Sequence, residues 1–148
     1  MKSTKHLVTA ILLATSATVA IAQPPQKSPE EQAVEYRHSI FEALSWKSTQ
    51  LGSAKEAGDK AAFQKHAKDM AYLGSLITEG FIPDSMIEGS SAKAAVWDDW
   101  DGFVEAADKF QELASELASP SYDMASFNAR SFGGDACGSC HRNFKERD

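Results

Sequence analysis

The chain holds two cysteines, both in one stretch near its end, Cys137-Gly138-Ser139-Cys140, with His141 directly after. Two thiols at this spacing beside an imidazole can do three kinds of chemistry: exchange a disulfide, form part of a metal site, or attach a c-type haem. A redox dithiol belongs at the start of a helix in a strand–helix–strand setting, where the helix dipole lowers the thiol pKa. Here the motif closes a chain with no strand pattern. A structural zinc ion takes four protein ligands, which leaves only the scattered His38 and His66 to complete the set. A haem uses every residue, since each vinyl group takes one cysteine sulfur and the adjacent imidazole reaches the iron. On a helix turning about 100° per residue, His141 returns to within roughly 40° of Cys137, so all three side chains project toward the same plate. One covalently bound haem c, held by Cys137 and Cys140 and ligated by His141, is the expected cofactor, with a disulfide or a simpler metal site as alternatives.

Haem attachment of this kind follows export, and the N-terminus agrees with it. Lys2 and Lys5 precede the apolar run LVTAILLATSATVAIA, which ends in Ala20-Ile21-Ala22. A positive flank, an apolar centre and a small-x-small end make a secretory leader. The run is too short and too diluted by Thr and Ser for the roughly 20 apolar residues of a spanning helix. Residues 1–22 are therefore expected to be a signal peptide, and residues 23–148 one haem domain in the periplasm, with no membrane attachment after cleavage. The formal charge of −6 becomes more negative once the leader's lysines are gone. That excludes a nucleic-acid partner and suits a soluble surface, to which a basic redox partner protein would be drawn.

The elements that must position the motif read as helices throughout. Ser28 or the acidic pair Glu30 and Glu31 opens a first helix, with Val34, Arg37, Phe41, Leu44 and Leu51 along one face until Gly52. Asp59 caps a second, which carries Phe63, Ala67, Met70, Leu73 and Ile77 before Gly80. FIPDSMIEGSS, Phe81 to Ser91, is the one long loop. Val96, Trp100, Phe103, Ala107, Phe110, Ala114 and Leu117 then form a heptad seam on a third helix. Ser119-Pro120-Ser121 stops it, and a fourth helix is expected to begin at Pro120 or Ser121 and run through Tyr122, Phe127, the cysteines and Phe144. Gly133-Gly134 is its weak point, where it continues or bends. The fold class that follows is all-α, an antiparallel up-down-up-down four-helix bundle.

With AVEYRHSIF (Ala33 to Phe41) in the first helix, VWDDWDGF (Val96 to Phe103) in the third and CGSCHRNFK (Cys137 to Lys145) in the fourth, the chain resembles the cytochromes c′. The resemblance covers essentially all of residues 23–148. It implies that Arg37 lies beside a haem propionate, where a guanidinium fork could pair bidentately, and that His38 reaches a propionate or else faces solvent. It also implies that the residue four positions beyond Arg37 faces the vacant side of the iron. In low-spin relatives that residue is a ligating methionine; here it is Phe41, which has no lone pair to give. Five-coordinate, high-spin iron with His141 as its protein ligand is expected.

Met70, in the apolar stripe of the second helix, reads as core, and neither Met86 in the loop nor Met124 has a positional claim on the iron. Phe144 is expected against the porphyrin edge. Lys145 stands where the family more often has arginine, keeping charge in the proximal surroundings without the planar fork. Trp97 and Trp100 resemble electron conduits, but a core role is expected for Trp100.

An aromatic cover without a hydrogen-bond donor favours small uncharged ligands. The resemblance implies the same: periplasmic proteins, often dimeric through their first two helices, that bind nitric oxide and carbon monoxide and transfer single electrons. Capture of diatomic gases is the leading expectation, and a low-spin electron carrier with a sixth protein ligand is the alternative. An enzyme is not expected, because the sequence shows no acid or base beside Phe41 to assist bond cleavage.

Overall fold

A computed structural model describes residues 26–147; the signal peptide expected at residues 1–22 lies outside the described residues. Ser28 starts α1 (Pro29–Glu56) with a complete capping box: its hydroxyl accepts from the Glu31 amide while the Glu31 carboxylate accepts from the Ser28 amide. The helix does not stop at Gly52. It runs to Glu56, because an open-faced glycine costs only about 1 kcal/mol inside a helix. The reversal comes at Gly58, whose φ of +69° is the left-handed conformation that glycine adopts freely.

Asp59 caps α2 (Lys60–Gly74) as the sequence indicates, its carboxylate accepting from the Ala62 amide. This helix ends at Gly74 and not at Gly80, and Ile77 falls on the 3₁₀ turn Ile77–Gly80 that follows. Gly74 is a contact glycine. A β-carbon there would stand 2.9 Å from the Phe110 ring, so its absence lets α2 approach the helix that carries Phe110 closely.

The expected third helix is two. Asp99, with φ −128° and ψ 60°, breaks it into α3 (Ala95–Asp98) and α4 (Trp100–Leu117), and its carboxylate caps α4 by accepting from the Gly102 amide. Phe103, Ala107, Phe110, Ala114 and Leu117 form the buried seam. Trp100 is 39% exposed, which overturns the core role expected of it. As the first residue after the break it no longer shares the register of Val96, although its ring still touches Phe103.

The last bundle element starts later than Pro120 or Ser121. Asp123 caps a 3₁₀ turn, Met124–Ser126, and Asn128 caps α5 (Ala129–Phe132) by accepting from the Ser131 amide. The irregular stretch before it is tied to the bundle by Lys60, Gln64 and Lys55, which donate to the carbonyls of Pro120, Ser119 and Phe127. From α5 the chain passes through a π turn, Gly133–Cys137, into α6 (Gly138–Phe144).

The four bundle positions are thus filled by α1, α2, α3 with α4, and α5 with α6, making a four-helix bundle. An isolated bridge between Ala92 and Lys145 is its only β pairing among the described residues. Phe63, Met70, Phe103, Leu51 and Val96 are fully buried at its centre.

Candidate haem site

The π turn decides how α6 presents its motif. Phe132, Ala136, Cys140 and Phe144 recur every fourth residue, and on an α-helix each such step drifts about 40°. A wider turn takes up the extra rotation. Here the Gly138 amide reaches back five residues to the Gly133 carbonyl, and the two glycines leave room around the widened backbone. Phe132, Ala136 and Phe144 are buried, and Cys137 and Cys140 sit half-buried on the adjoining surface.

These two cysteines form one wall of a cavity of about 740 Å³, a size within the roughly 300–1,000 Å³ of small-molecule sites. α6 contributes Cys140, His141 and Phe144 to this wall, and the π turn Ala136 and Cys137. α1 forms the opposite wall with Arg37, His38, Phe41, Leu44 and the hydroxyl residues Ser45, Ser48 and Thr49. Met70 from α2 and Phe103, Ala107 and Phe110 from α4 make the apolar floor. Across the cavity the rings of Phe41 and His141 stand 6.4 Å apart, tilted by 65°.

Every residue expected at the site lines this cavity. Arg37 is not the surface residue that its charge alone suggests. It is buried at 4% exposure, over the Phe81 ring, with its guanidinium carbon 4.6 Å from the ring centroid. Its four terminal N–H groups are all engaged: Nη1 donates to the Gly80 carbonyl (3.0 Å) and the Ser85 hydroxyl (2.8 Å), and Nη2 to the Ser85 carbonyl (2.8 Å) and the Ser90 hydroxyl (3.1 Å). The bidentate fork expected toward a propionate is therefore already committed to neutral oxygens. Among the described residues no carboxylate pairs with this cation, and burial lowers its pKa. What Arg37 offers a ligand's carboxylate is uncompensated charge.

His38 is exposed at the cavity rim, and Glu42 lies beside it. Both line the cavity close to Phe41 in the chain, and both are exposed to solvent. Met86 is 54% exposed and does not line the cavity, whereas Met70, read as core, is both buried and part of the floor. Phe144 is buried against Phe103 with ring centroids 5.4 Å apart.

Electrostatics keep the motif uncharged. Burial pushes the Cys137 thiol up and, with the neighbouring Cys137, the Cys140 thiol up to about 11, so both remain S–H near neutral pH. Burial and the charge of Lys145 hold the His141 pKa below its ordinary value, which preserves the neutral imidazole and its lone pair. Two thiols, a neutral imidazole, an apolar floor and an unpaired buried cation are the donor set a covalently held, iron-bearing, carboxylate-bearing macrocycle requires. The sequence motif announces the thiols and the imidazole. The roles of Ser85 and Ser90 leave no comparable signal, because single serines in a loop look alike until the fold brings Arg37 to them.

A family model described as Cytochrome C′ matches residues 32–145. A cytochrome c′ of Rhodospirillum rubrum is 32% identical over 94% of this chain and 95% of its own length. The crystal structure of cytochrome c′ from Rubrivivax gelatinosus superposes with a TM-score of 0.69 at 30% identity, covering 82% of this chain and all of that one. The nitric oxide complex of a mutant cytochrome c prime from Alcaligenes xylosoxidans shares the fold at TM-score 0.67 and 21% identity, over 83% of this chain and all of that one. With a covalently bound c-type haem as the family's cofactor, and a cavity whose walls fit it, the chain belongs to the cytochrome c′ family.

Proposed function

We propose that this protein captures small uncharged gases, nitric oxide first among them, at a five-coordinate, high-spin haem iron in the periplasm, and that the same iron passes single electrons. Cys137 and Cys140 would hold the haem covalently, each S–H adding across one vinyl group with sulfur to one carbon and hydrogen to the other. His141 would supply its lone pair to the iron, and Arg37 would balance a propionate's charge. The haem supplies the open metal position; the chain supplies the shape around it.

The observation that carries this reading is the pairing of Phe41 and His141 on opposite walls of one cavity. A phenyl ring has no lone pair to give, so Phe41 would cover a bound haem iron without ligating it and would leave room for a diatomic that pushes the ring aside. Anionic ligands gain little from such a wall. The nitric oxide complex of the Alcaligenes xylosoxidans mutant supports gas binding as the shared chemistry. Among the described residues no helix is long and apolar enough to cross a membrane. The leader at residues 1–22 supports export, and the exposed Trp46 and Tyr72 on α1 and α2 support pairing into a homodimer through those helices. A basic redox partner suits the acidic surface.

Resonance Raman and optical spectra of the ferric and ferrous protein test the assignment, with high-spin markers expected in both states. Phe41→Ala should bind nitric oxide faster than wild type; equal rates would remove the gating role. One observation favours a second reading: the Met70 thioether lines the cavity floor. A low-spin spectrum that turns high-spin in Met70→Leu would establish the electron carrier instead.

A further inference from the structure

The two walls of the cavity are not directly bonded. Among the described residues no hydrogen bond joins α1 to α6, and the rings of Phe41 and His141 face each other across the cleft between them. What connects them is the loop from Phe81 to Lys93. On one side Ser85 and Ser90 receive three of the four Arg37 hydrogen bonds. Ser85 is fully buried, and its hydroxyl also donates to the Ile82 carbonyl at 2.7 Å. On the other side the loop grips the end of α6: the Glu146 amide donates to the Ser91 carbonyl (2.8 Å), the Lys93 amide to the Phe144 carbonyl (2.9 Å), and the Lys93 ammonium to the Arg142 carbonyl (3.0 Å).

Ser90 stands where the two halves meet. Its hydroxyl oxygen accepts from Arg37 at 3.1 Å and from the Ala92 amide at 3.2 Å, and Ala92 forms the bridge with Lys145. Gly80 closes the seat. A β-carbon there would lie 2.6 Å from Arg37 Cγ, so the loop and the arginine side chain are packed without slack.

We infer that Ser90, with Ser85 behind it, is a positioning residue that couples Arg37 on α1 to the His141 end of α6 and so sets the spacing of Phe41 and His141. The inference rests on His141 being the axial ligand and Phe41 its opposite cover. It adds that their separation is a property of the strap, and that Arg37 acts as the strap's anchor as well as a source of charge. Loosening Ser90 lets α6 shift against α1 while both helices stay folded.

Holoprotein of wild type, Ser90→Ala and Ser90→Thr would be compared in three measurements: amide hydrogen exchange at Ala92, Lys93 and Glu146, the iron–histidine stretching band of the ferrous form, and the nitric oxide association rate. Loss of one hydrogen-bond acceptor should speed exchange at these amides by up to about tenfold, with a displaced iron–histidine band and an altered association rate. Threonine, which keeps the hydroxyl, should restore all three. Faster exchange with an unmoved band and rate would reduce Ser90 to a structural role and overturn the inference. Unchanged exchange would overturn it too, leaving the axial assignment intact. A wild-type ferrous protein without an iron–histidine band would instead bring down the axial assignment and this inference with it.

Discussion

The two walls of the cavity are built in opposite ways. α1 is 28 residues of unbroken helix, and its contribution depends on regularity: Arg37, Phe41, Leu44 and Ser48 face the cavity because three- and four-residue spacings keep one face aligned. The wall carrying Cys137 to Phe144 is assembled from a four-residue helix, a π turn and a seven-residue helix, and its contribution depends on the irregularity between them. The regular wall brings the Phe41 ring and the Arg37 charge to the cavity. The broken wall brings two thiols and an imidazole, the groups that in the proposed reading would have to bond one rigid plate. The difference teaches that a wide turn is placed where bond directions matter and a plain helix where only contact matters.

The largest effect should come from breaking the broken wall. Cys137→Ala with Cys140→Ala leaves no thiol in the chain, and the exported protein should have the mass of the bare polypeptide and no covalent haem in a denaturing gel. Retained covalent haem would mean that attachment lies elsewhere. Next comes the regular wall. Phe41→Met places a thioether where only a ring faces His141, and the spectrum should turn from high-spin to low-spin with weaker nitric oxide binding. A high-spin spectrum in that variant would show that position 41 does not face the iron.

How much of this was legible in the sequence follows the same division. Along α1 the periodicity was readable, and Ser28 was one of two candidate openings; that Phe41 should face the iron came, as for Arg37, only through the resemblance. The stop at Gly52 was misread, since an exposed glycine inside a long helix looks like punctuation until packing elsewhere keeps the helix going. Along the last element the motif was readable but its start was not. The Asp123 and Asn128 caps lie among other small polar residues, and the tethers from Lys55, Lys60 and Gln64 that hold that stretch are contacts between distant parts of the chain. Trp100 was misplaced for a local reason: Asp99 and Gly102 form a cap inside what reads as one heptad seam. Arg37 was legible as a functional residue only through resemblance. Its burial comes from a loop that no period describes.

Arg37 offers a test of middling size. Arg37→Met keeps much of the length of the side chain but strips the Gly80, Ser85 and Ser90 oxygens of their donors. Leaving buried acceptors unpaired while removing a buried cation should cost about 3 kcal/mol, read as a lower urea midpoint. A loss far below this would mean the loop finds water or other donors. Because the strap joins both walls, the variant should also disturb α6, which a helix-only role for Arg37 would not do.

The smallest effect belongs to a contact between α1 and α2 that does not line the cavity. His66 on α2 packs edge-on to Trp46, ring centroids 5.9 Å apart, and its Nδ1 is buried with no hydrogen-bond partner among the described residues. Burial lowers its pKa first, Lys47 and Lys65 lower it further, and Asp69 and Asp59 oppose them. A histidine whose folded pKa is depressed stays neutral while the unfolded chain takes up a proton. Its stability contribution is therefore complete above the ordinary value of about 6.5, is lost as pH falls from there through the folded pKa, and is flat below it. The lowered Asp69 and Glu30 carboxylates act at more acid pH, so they leave this window to the histidines. His141 shares the direction, which is why the comparison is between wild type and His66→Phe and not between two pH values alone. Urea midpoints of both holoproteins between pH 7.5 and 5.5 should fall more steeply for wild type, while the haem spectrum stays the same in the two. Equal slopes would mean that His66 finds a partner or takes up its proton at no cost, and a spectral change in His66→Phe would mean that the helix pair bearing Trp46 is coupled to the cavity after all.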